Sequence, residues 1–395
     1  MGRRRTCLRL VPAALLGLGA LPGLTATAPL QEQATGLGVS HRVLRFPADF
    51  GSHPDTALEW WYLTGWLADV AQAAPVSTGA EQQMPPQWGF QLTFFRSRTG
   101  VPEPHPSRFA THQLILAHVA LSDLRDGKLL HEQRIARAYE GLTGSALGDT
   151  AVQLRDWRLQ RETVAATPAS PAPAGSLYRI SVPHTDAGFA LELDLRTTQP
   201  VLLQGEAGWS RKGPQPAQAS HYYSEPQMAV QGRLQRGSDS HTVQGRGWLD
   251  HEWSNALLDA DAVGWDWIGI NLFNGSALTA FRLRRRDGSA LWHGGSWREP
   301  GGTPLAFAPD TVQFTPQAMW TSRTSGGHYP TQWRVQTPAG RWEVRALLDA
   351  QELGDSRAAT GTVYWEGLSE LLDAAGRRVG LGYLEMTGYV GRLVL

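Results

Sequence analysis

Apolar and polar residues alternate at every second position through much of this chain, and that period commits it to β-strands. A strand turns successive side chains to opposite faces, so a half-buried one reads apolar, polar, apolar. In the run from Gly89 to Phe95, residues Phe90, Leu92 and Phe94 share one face, while Gln91 and Thr93 take the other. Trp333–Gln336 and Trp342–Arg345 alternate likewise, separated by the turn residues Pro338, Ala339 and Gly340. Near the C-terminal end Tyr383, Glu385, Thr387 and Tyr389 alternate with Leu384, Met386 and Val390. Helical periodicity is scarce, and Gly, Pro, Asn and Asp punctuate the short segments. The pattern predicts an all-β protein built from antiparallel barrels or sandwiches.

At 395 residues the chain has room for two ordinary domains. A weak internal repeat supports two related halves. Gly65-Trp66-Leu67 recurs as Gly247-Trp248-Leu249, and the run Leu92–Arg98 matches Leu278–Arg284. Ala71–Gln87 and the Pro/Ala-rich Ala165–Gly175 read as loops, and the Gly/Pro-rich Gly205–Ala219 as part of a domain junction. The expected organisation is an export signal over 1–28, a first barrel over 40–205 and a second over 206–395.

The export reading rests on the first residues. Arg3, Arg4, Arg5 and Arg9 precede an apolar stretch from Leu10 to Leu24 that Gly and Pro interrupt, followed by Ala26-Thr27-Ala28 as a cleavage motif. Arg4-Arg5-Thr6-Cys7-Leu8 resembles a twin-arginine signal. An uncleaved anchor is the competing reading. Cys7 is the one cysteine, so a processed chain has no thiol for disulfides, catalysis or metal. No later segment is apolar enough for a helical membrane span, and a periplasmic or secreted protein is expected. Basic and acidic residues balance, 36 against 36, which argues against a nucleic-acid partner.

Sixteen tryptophans are the compositional anomaly. Trp-rich β cores are one explanation, but the doublet Trp60-Trp61 and the pair Trp265 and Trp267 ask for more. Neighbours on a strand face opposite ways, so one Trp of a doublet leaves the core or enters a cavity. The densest cluster of reactive groups is Gly247–Ser254. As a strand it sends Asp250, Glu252 and Ser254 to one face and Leu249, His251 and Trp253 to the other. Asp266 follows between Trp265 and Trp267. Acids beside a His tune a proton donor, and Trp faces stabilise a cation by roughly 0.5–2 kcal/mol. These parts suit proton-initiated chemistry on an olefin, although Asp250 and His251 could simply hold a turn and Trp253 pack a core. Glu59, beside Trp60, Trp61 and Tyr62, is either a ligand contact or an anchor between domains. His118, in an apolar strand, is either a pocket residue or a core histidine. No metal is expected, since His251 and Glu252 point apart and neither H-x-H nor H-E-x-x-H occurs. Nucleophile-elbow, phosphate-loop and dinucleotide patterns are missing too, and no cofactor is expected.

Seven motifs then occur in order: Glu59-Trp60-Trp61-Tyr62, Ala117-His118, Tyr222-Tyr223-Ser224, Asp250-His251-Glu252-Trp253-Ser254, Trp265-Asp266-Trp267, Tyr364-Trp365-Glu366-Gly367 and Leu384–Tyr389. Together they resemble the AttH/carotenoid 1,2-hydratase family, from about His53 to the end of the chain. The resemblance implies two tandem lipocalin-like barrels and a long apolar ligand, isoprenoid or lipid. It implies hydration of a terminal alkene through a tertiary carbocation in some members, and in others an exported protein accompanying ABC-transporter components. It places His251, Trp253, Glu252 and Asp266 in the reaction, with Glu59, Trp60, Trp61, His118, Tyr222, Trp265 and Trp267 holding the ligand. The strand Leu278–Leu283 carries Arg282 where the hydratase pattern leads one to expect an acid. A hydro-lyase and a non-catalytic carrier of a lipophilic molecule both follow.

Overall fold

The computed structural model describes residues 38–392, apart from 73–84, 103, 108, 166–174, 257 and 355–362. The expected signal over 1–28, and parts of the loops expected at 71–87 and 165–175, lie outside the described residues.

The described chain is all-β, with three short 3-10 turns and no α-helix. The first sheet contains Leu58–Asp69 (β1), Trp88–Arg98 (β2), Gln113–Asp123 (β3), Lys128–Arg137 (β4), Thr143–Ser145 (β5), Ala151–Leu154 (β6) and Trp157–Val164 (β7). It continues with Gly175–Val182 (β8), Phe189–Arg196 (β9), Leu202–Leu203 (β10), Trp209–Arg211 (β11), Ala219–Arg236 (β12) and Asp239–Ser254 (β13). The second contains Gly264–Leu272 (β14), Ala277–Arg284 (β15), Ala290–Arg298 (β16), Leu305–Ala306 (β17), Gln313–Thr321 (β18), His328–Thr337 (β19), Gly340–Ala346 (β20), Glu352–Leu353 (β21), Tyr364–Leu372 (β22) and Arg378–Met386 (β23). All pairings are antiparallel, and each sheet curls into a barrel or half-barrel, as two lipocalin-like units do.

The two sheets share one plan. In the first, β1 lies between β2 and β13, the last strand; in the second, β14 lies between β15 and β23, again the last. Curling a sheet around a core brings first and last strands together, and the break between sheets therefore falls between Ser254 and Gly264. The boundary expected at 205/206 does not coincide with it, because β12 and β13 belong to the first sheet. The Gly/Pro-rich segment that looks like a junction carries β11, which pairs with β12.

Half of the sequence repeat is real. Leu92–Arg98 and Leu278–Arg284 occupy matching strands, β2 and β15, with Arg96 opposite Glu59 and Arg282 opposite Asp266. The other half is a coincidence of pairing, since Gly65 and Gly247 face each other across β1 and β13 within one sheet.

One apolar cluster fills the first barrel, around Trp61, Leu92, Trp157 and Leu249, and another fills the second, around Ile268, Trp333 and Trp365. A third lies between the sheets and joins Tyr62, Trp66 and Trp248 to Trp267, Phe281, Leu368 and Tyr383. Polar groups fix the approach. β12 bulges between Glu225 and Met228, where Pro226 has no N–H to give the ladder. Gln227 there takes φ +59 and reaches the second sheet, donating from its backbone to Asn271 and from its side chain to the carbonyls of Leu272 and Ser276. Gly89 permits a close approach: a Cβ there would meet the Tyr383 hydroxyl at 2.6 Å and Leu368 at 2.9 Å. Gly89→Val is therefore expected to cost about 1–3 kcal/mol by overpacking. The measurement is the urea midpoint, and an unchanged midpoint would mean that the sheets do not meet at this glycine.

Candidate functional site

Two-faced strands build the site. On β1 and β13 the pairs Glu59–Trp253, Trp60–Glu252, Trp61–His251 and Tyr62–Asp250 stand opposite each other. Trp60, Tyr62, Asp250 and Glu252 face a cleft between the sheets, whereas Trp61 and Trp253 pack in the first barrel. The second sheet answers with Trp265 and Trp267 of β14, Phe281 of β15, Tyr364 and Glu366 of β22, and Glu385 of β23. The cleft holds about 760 Å³ of atom-free space, part of it open to solvent. Its walls are aromatic, and four carboxyl groups enter it.

Those carboxyls differ. Glu252 pairs with Lys212 at 3.0 Å. Asp250 accepts from Tyr222 at 2.7 Å, Ser224 at 2.5 Å and Trp248 at 2.7 Å, so it is held by three donors. Burial raises it to about 7 despite them. Glu366 and Glu385 stand opposite each other on neighbouring strands. Glu385 accepts from the Trp265 indole at 2.9 Å, while the hydroxyls of Tyr62 and Tyr364 neighbour Glu366. Burial pushes Glu385 up to about 7, and burial with the charge of Glu385 pushes Glu366 well above the ordinary carboxylate range. Lys212 is the one cation among the described lining residues, and Glu252 occupies it. The Glu366–Glu385 pair thus retains a proton near neutral pH, as two adjacent carboxyls in a dry site do.

On the other face of β1 lies a buried ion network. Glu59 accepts from Arg96 Nε at 2.8 Å, from Ser52 at 2.8 Å and from the His53 amide. His251 Nε2 lies 2.9 Å and His53 Nδ1 2.8 Å from its Oε1. Burial alone would raise Glu59, but its hydrogen bonds to His251 and His53, and the charge those rings carry once protonated, outweigh it and hold the carboxylate far below its ordinary range. Burial brings His251 down to about 4 against the pull of Glu59. The neutral ring donates from Nε2 to Glu59 and accepts at Nδ1 from Tyr223, 3.0 Å away. His53 stacks on Trp253 at 3.7 Å. His53, Glu59 and His251 bring metal-ligand atoms within 4.8 Å of one another, a grouping that the sequence reading, with no metal expected, did not assemble. Arg96 already neutralises Glu59, and a dication there would face a buried guanidinium.

The second barrel repeats the device. Asp266 is buried against Arg282 at 2.6 Å and Arg284 at 3.1 Å, and accepts from Tyr389 at 2.8 Å. Arg282, which departs from the hydratase pattern, is the counterpart of Arg96.

A family model described as AttH-like matches residues 38–389, nearly the whole described chain. The chain belongs to the AttH-like family. A solved structure assigned as AttH from Nitrosomonas europaea is 42% identical, covering 89% of this chain and 99% of that one at a TM-score of 0.76. Kievitone hydratase from Nectria haematococca is 13% identical, covering 88% and 93% at 0.61, and CghA with Sch210972 is 11% identical, covering 85% and 89% at 0.50. At those identities the last two show the fold alone. No curated protein sequence matches the chain.

In this AttH-like chain the residues expected to act together are divided between faces. Trp60, Tyr222, Glu252, Trp265 and Trp267 line the cleft. Glu59, Trp61, His251 and Trp253 lie on the first-barrel side, and Asp266 on the second-barrel side. His118 stands behind the wall, its Nδ1 2.8 Å from the Tyr364 hydroxyl, and burial keeps it neutral by lowering it to about 3. The expected catalytic set of His251, Trp253, Glu252 and Asp266 is thus not one constellation, because alternation aims adjacent residues at different compartments. Glu366, Glu385, Tyr62, Tyr364 and Lys212 were not singled out. Their signal was present: Glu366 and Glu385 are acids flanked by apolar residues in largely apolar strands, which need a partner or a proton.

Proposed function

We propose that this AttH-like protein is an acid catalyst that holds an apolar olefin in the intersheet cleft and adds water to it. One observation carries the reading: Glu366 and Glu385 stand opposite each other, buried in an aromatic-walled cavity whose one described lining cation, Lys212, is paired with Glu252, and burial raises both carboxyls. A carboxylic acid of the pair gives its proton to the less substituted alkene carbon, and the π electrons form the new C–H bond. The cation left on the more substituted carbon lies against Trp and Tyr faces and the new carboxylate. Water adds to it, and the carboxylate takes back the proton that water releases. A hydratase shares the fold, which agrees with this chemistry.

In the proposed setting the chain works outside the cytoplasm on an isoprenoid or other lipophilic ligand, with ABC-transporter components as neighbours. Among the described residues no helix is long and apolar enough to cross a membrane. The test is incubation with acyclic isoprenoids bearing a terminal trisubstituted double bond, in heavy-oxygen water. A tertiary alcohol carrying the label is the expected product, and its rate should fall as pH rises past about 7, where Glu385 loses its proton. Bound ligand recovered unchanged across the panel would sink the enzyme and leave a carrier.

A further inference from the structure

We propose that the cleft is also a receptor for a lipophilic organic cation, an alkyl or benzyl ammonium ion, seated against Glu366 and Glu385. The protein already places one ammonium in this cavity. Lys212 Nζ lies 3.0 Å from Glu252, 4.7 Å from the centre of the Tyr222 ring and 4.5 Å from that of Phe281. The shared plan of the sheets defines a second such place. Trp60 stands opposite Phe95 and Glu252, and Trp267 stands opposite Phe281 and Glu385. Tyr222 pairs with Glu252 as Glu366 pairs with Glu385. The counterparts of Glu252, Tyr222 and Phe281 are therefore Glu385, Glu366 and Phe95, and all three line the same cleft.

That second place carries two carboxyls where the first carries one, and the one cation lining the cleft, Lys212, is paired with Glu252. Glu366 is only 2% exposed, and its polar neighbours Tyr62 and Tyr364 are hydroxyls that bring no positive charge. Buried carboxyls that meet neutral donors and aromatic faces favour a ligand that brings positive charge. The groups around the pair are Tyr62 of β1, Asp250 and Glu252 of β13, Tyr364 of β22, Tyr383 of β23 and Lys212, and Glu252 cancels the one cation. An ammonium ion therefore replaces a proton on the pair. The inference goes beyond hydration, because it requires binding and no turnover.

The experiment is calorimetric titration of the full chain with benzyltrimethylammonium and with its neutral isostere neopentylbenzene, in two buffers of different ionisation heat. The ammonium should bind at least about tenfold more tightly and release a proton below about pH 7, its affinity rising about tenfold per pH unit there and levelling above. Glu366→Gln and Glu385→Gln should each lose that preference while keeping the affinity for neopentylbenzene, which also reports an intact cleft. If these variants do not fold, the comparison of probes and the proton count on the unaltered protein decide. Equal affinity for the two probes, or ammonium binding without proton release, overturns the inference. A chain that hydrates olefins yet treats the probes alike loses only this inference, and one that takes the ammonium without turnover keeps it.

Discussion

Trimming Arg96 to Ala is expected to lower folding stability by about 3–5 kcal/mol, the usual cost of leaving one member of a buried ion pair behind. Glu59 and Arg96 are both fully buried, and Arg96 also donates to the carbonyls of His53 and Thr56 and to the Thr56 hydroxyl. The variant therefore strands a carboxylate and three acceptors together. Urea unfolding near neutral pH reads the loss, and Glu59→Gln added to Arg96→Ala should restore part of it through a favourable coupling. Additive single changes would show that the pair is not energetically linked. The depressed carboxyl also fixes a direction with pH. Its contribution is complete above the ordinary Glu value of 4.5 and drains away as pH falls below it.

The Glu385→Gln variant should behave in the opposite way, gaining stability where the wild type is ionised. Glu385 keeps its proton to about 7 in the folded chain, against 4.5 as a free side chain. Between those values the unfolded state binds fewer protons than the native state, so wild-type stability falls as pH rises. Gln carries no charge at any pH. The variant is expected to match the wild type near pH 4 and to exceed it by up to about 3 kcal/mol near pH 8. The same variant should lose the proposed olefin turnover, because it removes one of the two acids proposed to give the proton. A stability difference that does not change between the two pH values would rule out a raised carboxyl at this position.

Much of the fold was legible because β-structure writes a two-residue period into sequence. The run Leu249–Ser254 divides into faces as its alternation predicts, with Asp250 and Glu252 on one side and His251 and Trp253 on the other. The sequence does not say that both faces are buried. A single strand separates the barrel interior from the cleft, and residues read as one cluster belong to two compartments. Glu59 and His251 meet across 192 positions of chain, and Asp250 enters the cleft that holds Glu385 from another sheet. Such meetings depend on register and on sheet-to-sheet approach, which local pattern does not encode. The halves of the repeat differ for the same reason: Leu92–Arg98 reflects shared topology, while Gly65 and Gly247 only lie side by side. Against the hydratase pattern Arg282 is a departure at one site. Beside Asp266 it completes a salt bridge that Glu59 and Arg96 form in the first barrel.

The alternating wall has a practical meaning for anyone who wishes to redirect this protein toward a new ligand. Trp60, Tyr222 and Glu252 hang from the same backbone as Trp61, Tyr223 and His251, one step apart. A mutational library that varies whole segments such as 60–62 or 250–253 will mostly collapse the barrel behind the wall. One that varies every second codon, and leaves its neighbours alone, can change the chemistry of the room without moving the house.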